Sequence, residues 1–240
     1  ALAINEKVLG LEHPSTATSY NNIGLVYKRK GDYAEALEYY FKALAIREKV
    51  LGLEHPYTAT SYNNIGSVYN SKGDYAEALE YYFKALAICE KVLGLEHPST
   101  ATYYNNIGSV YFSKGDYAEA LEYHKKALAI REKVLGLKHA DTATCYSNIG
   151  NIYVLMSDYK KALDYLKKAL AIREKRLGID HLDTAGSCVS IGIIYFRTGY
   201  EDKALEYLQR ALPIYEQKLG VDHPNTQSVI ELIEKVKSSI

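Results

Sequence analysis

The chain has 240 residues with 29 basic and 29 acidic side chains, so its formal net charge is zero. This balance gives no indication of a basic face for nucleic acid, and no apolar run approaches the roughly 20 residues that a membrane-spanning helix needs. The three cysteines, Cys89, Cys145 and Cys188, form neither a disulfide framework nor a CxxC pair. This usage is typical of a reducing compartment, and we expect the protein to be cytoplasmic.

A repeat of 42 residues runs through the chain and dominates its interpretation. Its anchor, Gly-x-x-His, recurs at His13, His55, His97, His139, His181 and His223. The segments 13–54 and 55–96 differ at only five positions. A fixed period of this length indicates a solenoid, in which each repeat buries its apolar face by stacking on its neighbours. We therefore do not expect a globule with a single active-site pocket.

The anchors divide the whole chain, residues 1–240, into five full repeats between two half repeats. Residues 1–12 are the first half repeat, the tail of a second helix, and residues 223–240 are the last, a lone first helix that caps the array. The full repeats, numbered 1 to 5 below, are 13–54, 55–96, 97–138, 139–180 and 181–222.

The first part of repeat 1 is predicted to be a helix over Thr16–Lys30. Its apolar and small residues follow the helical spacing i, i+3, i+4 and i+7, at Tyr20, Ile23, Gly24 and Tyr27. Pro14 suits the first helical turn, where its missing N–H is no loss, and His13 lies at the cap.

A second helix is predicted after the break at Gly31-Asp32. Asp32 is placed to cap it, with Glu35 three residues later as a capping box requires. Its buried face is predicted from the spacing of Ala36, Leu37, Tyr40, Ala43 and Leu44, and Gly52 is placed to end it. Because Gly24 and Ala36 are small, the two helices can cross closely, and the repeat is predicted to be a helical hairpin.

The half repeats at the two ends have complementary patterns. In the last one, Val229, Ile230, Ile233 and Val236 form the predicted buried stripe. Residues 1–10 could receive residues 225–240 of another copy, a head-to-tail contact that propagates.

The order Tyr20, Ile23, Gly24, Tyr27, then Ala36, Tyr40 and Ala43, resembles the tetratricopeptide repeat, and it returns in register in all five repeats. The common form has about 34 residues. Here the second helix is longer by about two turns, through Ala-Ile-Arg-Glu-Lys-Val-Leu-Gly, and the first contains Tyr-Asn-Asn-Ile. These two segments are similar to the repeats of kinesin light chains and to arrays in bacterial and protist signalling proteins. The resemblance implies an all-α, right-handed superhelical solenoid of antiparallel helix hairpins.

No catalytic, cofactor or metal site is predicted. Stacked helices lie about 8–10 Å apart, whereas zinc needs its nitrogen ligands about 2 Å from one ion. Histidines on adjacent turns therefore cannot share a metal, and we interpret them as repeated turn residues. No nucleophile–histidine–acid set or phosphate-binding glycine loop occurs, and we expect no enzymatic activity.

The resemblance implies that the first helices line a concave groove that binds a peptide or a partner protein. Three of the five differences between repeats 1 and 2 fall in groove positions, although exposed positions can also drift freely. The candidate groove residues are Asn21, Leu25, Lys28, Arg29, Asn63, Ser67, Asn70, Asn105, Ser109, Phe112, Asn151, Phe196 and Arg197.

The chemistry of these residues predicts an extended peptide ligand with an acidic end near Lys28 and Arg29. Its apolar side chains would lie toward Phe112 and Phe196, and a ladder of asparagines would hold its backbone. The alternative interpretation is a structural spacer, or an array that associates with itself head to tail through residues 1–10 and 225–240, without a dedicated peptide ligand.

Overall fold

A computed structural model describes Asn5 and residues 7–240. Within that part of the chain there are eleven α-helices and no strand, which confirms the all-α prediction. The chain divides into two compact units, Ala1–Ile130 and Arg131–Ile240, and each is treated separately below.

Unit 1 contains α1 to α5 and most of α6. Their bounds are α1 Pro14–Lys30, α2 Tyr33–Leu51, α3 Pro56–Lys72, α4 Tyr75–Val92, α5 Pro98–Lys114 and α6 Tyr117–Val134. Unit 2 contains the end of α6 and all of α7 to α11. Their bounds are α7 Ala140–Leu155, α8 Tyr159–Leu177, α9 Leu182–Arg197, α10 Glu201–Leu219 and α11 Pro224–Lys237.

The six anchor histidines are helix caps. The Nδ1 atom of His13 accepts a hydrogen bond of 3.1 Å from the backbone N–H of Ser15, and the same bond of 3.1–3.2 Å recurs at the other five. This side-chain acceptor satisfies one of the backbone donors that the start of a helix leaves unpaired. The prediction that His13 lies at the cap is confirmed.

The predicted capping box at the second helix is wrong for Asp32, whose side chain makes no capping hydrogen bond. The equivalent Asp74 also makes none, because its carboxylate pairs with Lys72 Nζ at 2.6 Å instead. In repeat 4 the lysine position is taken by Met156, and there Asp158 accepts a 3.2 Å bond from the backbone N–H of Lys161. Asp158 caps its helix even though its carboxylate also pairs with Lys161 Nζ at 2.7 Å.

The two helices of a hairpin approach so closely that one position must be glycine. A Cβ atom added at Gly24 would lie 2.9 Å from the ring of Tyr40, and one at Gly66 would lie 3.0 Å from the ring of Tyr82. Separations this short force the neighbouring atoms to move. The close crossing predicted at Gly24 and Ala36 is confirmed, since Ala36 O lies 3.2 Å from the same added atom.

Tyrosines of the two helices stack within each hairpin. The rings of Tyr27 and Tyr39 lie 5.5 Å apart with planes 8° from parallel, and Tyr69 and Tyr81 repeat this at 5.6 Å. A lysine covers the outer ring, with Lys84 Nζ 5.0 Å from the ring centre of Tyr81. Tyr27 thus serves packing, as its helical spacing predicts, and stacks on Tyr39, with cation–π contacts at the ring edges.

A further tyrosine joins each hairpin to the preceding one. The phenol of Tyr62 in α3 donates to Glu48 in α2, and in unit 2 the phenol of Tyr146 donates to Glu132. Burial raises the pKa of both phenols, and the carboxylate acceptor raises it further. Each of these tyrosines therefore links two hairpins by a hydrogen bond to a charged group.

The last helix, α11, packs with one face on its neighbours. Val229, Ile233 and Val236 are buried and Ile230 is half-buried, which matches the predicted stripe. Residues 1–4 and 6 of the first half repeat lie outside the described residues, so the predicted head-to-tail contact stays a prediction. No helix within the described residues combines the length and apolar character needed to cross a membrane.

Candidate functional site: the first-helix faces

In unit 1, asparagines connect the first helices of successive repeats. Asn64 Nδ2 in α3 donates to Asn21 Oδ1 in α1 at 2.7 Å, and Asn106 Nδ2 in α5 donates to Asn63 Oδ1 in α3 at 2.8 Å. The asparagines that were predicted to hold a ligand's backbone therefore use part of their hydrogen-bonding capacity to connect helices. An amide has two N–H donors and two acceptor sites on its oxygen, so the bond from Asn64 uses only one acceptor site of Asn21.

Lys28 also spans two first helices. Its Nζ atom in α1 donates to Ser67 Oγ in α3, and the Ser67 side chain is hydrogen-bonded with the phenol of Tyr82. Burial lowers the pKa of Lys28. Burial also raises the pKa of Tyr82 to about 12, which the bond with Ser67 partly offsets. The bond to Ser67 uses one of the three N–H donors of Lys28 and holds its ammonium group between the two helices.

The other unit 1 candidates differ in how far they reach solvent. Leu25 is 38% exposed and Arg29 is exposed, whereas Phe112 is half-buried with its ring 6.0 Å from that of Tyr117. The hydroxyl of Ser109 donates back to the carbonyl of Asn105 at 2.9 Å. Asn70 Oδ1 is buried without a hydrogen-bond partner. A ligand on this face would meet Leu25 and Arg29 first.

In unit 2, the corresponding face opens into a cleft between α9 and α11. The cleft has a volume of ≈ 440 Å³ and is lined by Ile193, Phe196, Arg197, Ser228, Glu231, Leu232 and Lys235. Lys235 Nζ lies 5.8 Å from the ring centre of Phe196. The structure thus brings the predicted residues Phe196 and Arg197 together, and leaves Asn151 exposed on α7.

Four of these lining residues were missed in the sequence, because residues 223–240 were interpreted only as a cap. They are Ser228, Glu231, Leu232 and Lys235. The signal was present in the repeat register, since Glu231 and Lys235 lie five repeat lengths after Asn21 and Leu25. The last half repeat therefore also lines this cleft.

A second cavity in unit 2, of ≈ 230 Å³, lies beside Cys188 and is lined also by Ile179, Asp180, Arg210, Pro213, Ile214 and Gln217. Burial raises the pKa of the Cys188 thiol, an effect that Arg210 partly offsets. A raised pKa disfavours the thiolate, which is the reactive form of cysteine. Within residues 5 and 7–240, no three histidine, cysteine, aspartate or glutamate side chains are grouped to hold a metal ion.

Comparison with known sequences identifies the repeat. The sequence profile described as tetratricopeptide repeat matches residues 1–49, 19–91, 57–133, 99–175 and 149–217, which together span most of the chain. The chain belongs to the tetratricopeptide repeat family. A comparison with curated proteins found no match.

Several solved structures are similar to this tetratricopeptide repeat chain. One shows nearly identical repeats of a Podosopora anserina protein named as a kinesin light chain, with 26% identity, a TM-score of 0.72, and coverage of 86% of this chain and 98% of that one. BtubC (BKLC) from P. vanneervenii has 24% identity, a TM-score of 0.77, and coverage of 93% and 87%. The apo form of RapI has 19% identity, a TM-score of 0.74, and coverage of 93% and 83%.

These similarities confirm the predicted tetratricopeptide-like solenoid of helix hairpins, related to kinesin light chain repeats. The tetratricopeptide fold commonly mediates protein–protein interaction, and its members are generally non-catalytic scaffolds.

Proposed function

We propose that this chain binds an extended segment of a partner protein on its first-helix faces, without chemistry of its own. The observation that carries the proposal is the continuity of the unit 1 face. The bonds Asn64–Asn21, Asn106–Asn63 and Lys28–Ser67 join three first helices side by side. A polar surface that continues across repeats suits a ligand longer than one repeat.

The unit 1 face changes from basic to apolar along the repeats, which favours one orientation of a bound peptide. The positions Lys28, Asn70 and Phe112 are equivalent in repeats 1, 2 and 3, and Arg29 lies beside the first. An extended peptide with acidic residues at one end and an apolar side chain at the other complements this order. Charged groups on such a rim mainly set the association rate and the preferred orientation.

Unit 2 supports an apolar contact. The cleft between α9 and α11 presents Ile193, Phe196 and Leu232, with Arg197 and Lys235 among its lining residues. Ligand sites of this kind combine an apolar floor with a few polar groups that fix orientation. We assign to it an apolar side chain of the partner.

The test is a proteome-derived peptide display screen, followed by fluorescence anisotropy with the enriched peptides. In the test variant, Lys28→Asn with Arg29→Ser copies the chain's own Asn70-Ser71, so the fold is expected to persist while two cations are lost. The control, Lys49→Gln with Lys91→Gln, removes the same charge from two exposed second-helix lysines.

We expect the test variant to bind acidic peptides at least about tenfold more weakly, and the control to change affinity by less than about twofold. Equal affinities for both variants would reject the assignment of the acidic end. If the screen enriches no motif at all, the proposal of peptide binding fails, and the spacer interpretation is favoured.

A further inference from the structure

At the junction between successive hairpins, one residue of the second helix faces one residue of the next first helix, 14 positions later. At the α2–α3 junction these are Arg47 and Ser61. Arg47 Nη1 donates to Ser61 Oγ at 2.7 Å and to the carbonyl of Tyr57 at 3.0 Å. Arg47 is only 7% exposed, so its guanidinium depends on these two acceptors.

Unit 2 uses the same arrangement twice. Arg131 donates to the thiol of Cys145 at 3.2 Å, and Arg173 donates to Ser187 Oγ at 2.6 Å. Each arginine also donates to the backbone carbonyl four residues before that partner. A long donor on the second helix thus meets a small acceptor on the first helix.

At the α4–α5 junction the small side chain lies on the second helix and the large one on the first helix. Here the second helix carries Cys89 and the first helix carries Tyr103, and both are buried. Thr100 Oγ1 lies 3.5 Å from Cys89 Sγ, and the side chain of Tyr103 is hydrogen-bonded with that of Thr60 in α3. The tyrosine fills the space that an arginine would need.

The second helices α2 and α4 differ in sequence at one position only. Residues 33–51 and 75–93 are identical except for Arg47 and Cys89. The first helices α3 and α5 differ at three positions. Ser61/Tyr103 faces the variable second-helix residue, and the ring of Tyr57, which Ser99 replaces in α5, also lies 5.8 Å from the Arg47 guanidinium. Nothing else on the second helices can distinguish the correct first helix from that of the next repeat.

Exchanged partners would not fit. Arg47 opposite Tyr103 would lose its hydroxyl acceptor and meet an aromatic ring in a filled site, leaving a buried charge with too few hydrogen-bond acceptors. Cys89 opposite Ser61 would leave a void between the helices. Looping out residues 55–96 would create the first mismatch, and a reciprocal exchange between two copies shifted by one repeat would create both.

Such slippage is a real hazard for this chain. Looping out one 42-residue repeat adds little loop-closure entropy, because that term grows only logarithmically with length. Misassembly and exchange between copies are characteristic failures of repeat proteins. We propose that the reversed pair Cys89–Tyr103 sets the stacking register, so that α2 is excluded from α5 both within one chain and between copies.

The first test is a double-mutant cycle followed by thermal unfolding. Cys89→Arg and Tyr103→Ser should each lower the Tm by about 5–10 °C, whereas the double variant recreates the α2–α3 pair and should return to within about 3 °C of the original. If a single variant does not fold, folding of the double variant alone supports the proposal. Additive losses, or a double variant that also fails to fold, would overturn it.

The second test measures exchange between copies, by the fraction of dimer after refolding at high concentration, read by size exclusion with light scattering. The double variant Cys89→Arg/Tyr103→Ser makes both junctions alike, and so does Arg47→Cys/Ser61→Tyr. Each should increase exchanged dimers several-fold.

The matched control carries all four changes, which interchanges the two pairs and keeps the junctions different. It should refold with the original fraction of dimer. A quadruple variant that dimerises as much as the doubles, or doubles that stay monomeric like the original, would reject the proposed role in register.

Discussion

Tyr146 and Cys188 occupy the same position of successive repeats in unit 2, yet their surroundings are built differently. Around Tyr146, the phenol donates to Glu132 while Lys168 Nζ lies 5.5 Å from the ring centre. Around Cys188 the ring is missing, and Arg210, at the position of Lys168, pairs directly with Glu174.

This difference shows that the partly buried glutamate is the constant requirement at this junction. A carboxylate removed from water needs a donor, whichever side chain supplies it. Tyrosine supplies a neutral donor and fills space, whereas arginine supplies a charged donor and leaves the ≈ 230 Å³ cavity beside Cys188. The substitutions at positions 188 and 210 are therefore physically coupled.

The largest expected effect comes from imposing the Cys188 arrangement on the Tyr146 site. Tyr146→Cys removes a buried ring and the donor to Glu132, and should lower the free energy of unfolding by about 3 kcal/mol. Denaturant unfolding followed by circular dichroism measures the loss. Tyr146→Phe is the control, which keeps the ring and should lose about 1 kcal/mol. Equal losses in both variants would show that the hydroxyl, not the ring, carries the effect.

Adding the coupled change should recover part of that loss. In Tyr146→Cys/Lys168→Arg, the guanidinium can reach Glu132 as Arg210 reaches Glu174, so we expect about 1 kcal/mol to return. The comparison is with Tyr146→Cys alone in the same unfolding assay. A double variant no more stable than the single one would contradict the coupling.

A smaller effect is expected for Arg210→Lys. Lysine cannot reproduce the planar guanidinium contact, and the pair with Glu174 is about one-third exposed, so the loss should be about 0.5–1 kcal/mol. The free energy of unfolding of this variant should also depend less on salt concentration, because the ion pair with Glu174 is weaker. The control Lys168→Arg in the repeat that retains Tyr146 should change stability by less. A larger loss in the control than in Arg210→Lys would count against the role given to Arg210.

The smallest effect concerns alkaline pH. Burial raises the pKa of Tyr146 and of Cys188, so both are protonated in the folded state at pH values where the unfolded chain begins to ionise. Their stabilising contributions are complete below the unfolded pKa values, about 10 for tyrosine and about 8.5 for cysteine, and are lost as pH rises past them.

Unfolding experiments between pH 7.5 and 11 can separate the two sites. Cys188→Ala should reduce the decline that starts near pH 8.5, and Tyr146→Phe the decline that starts near pH 10, because burial also raises the pKa of other cysteines and tyrosines. Neither variant should change the slope below pH 8. A change of slope there would mean that other groups titrate with folding.

Local patterns in the sequence predicted the elements well, because they report on each helix alone. The spacing of Tyr20, Ile23 and Gly24 placed a helix, and the His-Pro turns placed its start. The absence of a cap at Asp74 could not be predicted, because the carboxylate pairs with a lysine two residues earlier. That pairing depends on turn geometry as well as on residue type.

The predicted site residues stay a prediction, and the structure shows only where they lie and what they contact. Lys28, Asn21 and Asn63 lie on the first-helix face of unit 1, but each also bonds to the neighbouring first helix. Such bonds join residues about 40 positions apart, so no local pattern reports them. Likewise, the cleft at Phe196 needed the position of α11, which the sequence identified only as a cap.

The sequence by itself determined the repeat, the all-α hairpins, the capping histidines and the packed tyrosines, because periodicity and turn chemistry act within a few residues. Only the tertiary structure decided which side chains meet between repeats. Arg47 with Ser61, Tyr103 with Cys89 and Arg210 with Glu174 all depend on helices from different repeats lying in contact. In a chain of near-identical repeats, local propensity is the same everywhere, so packing at the junctions has to supply the distinctions.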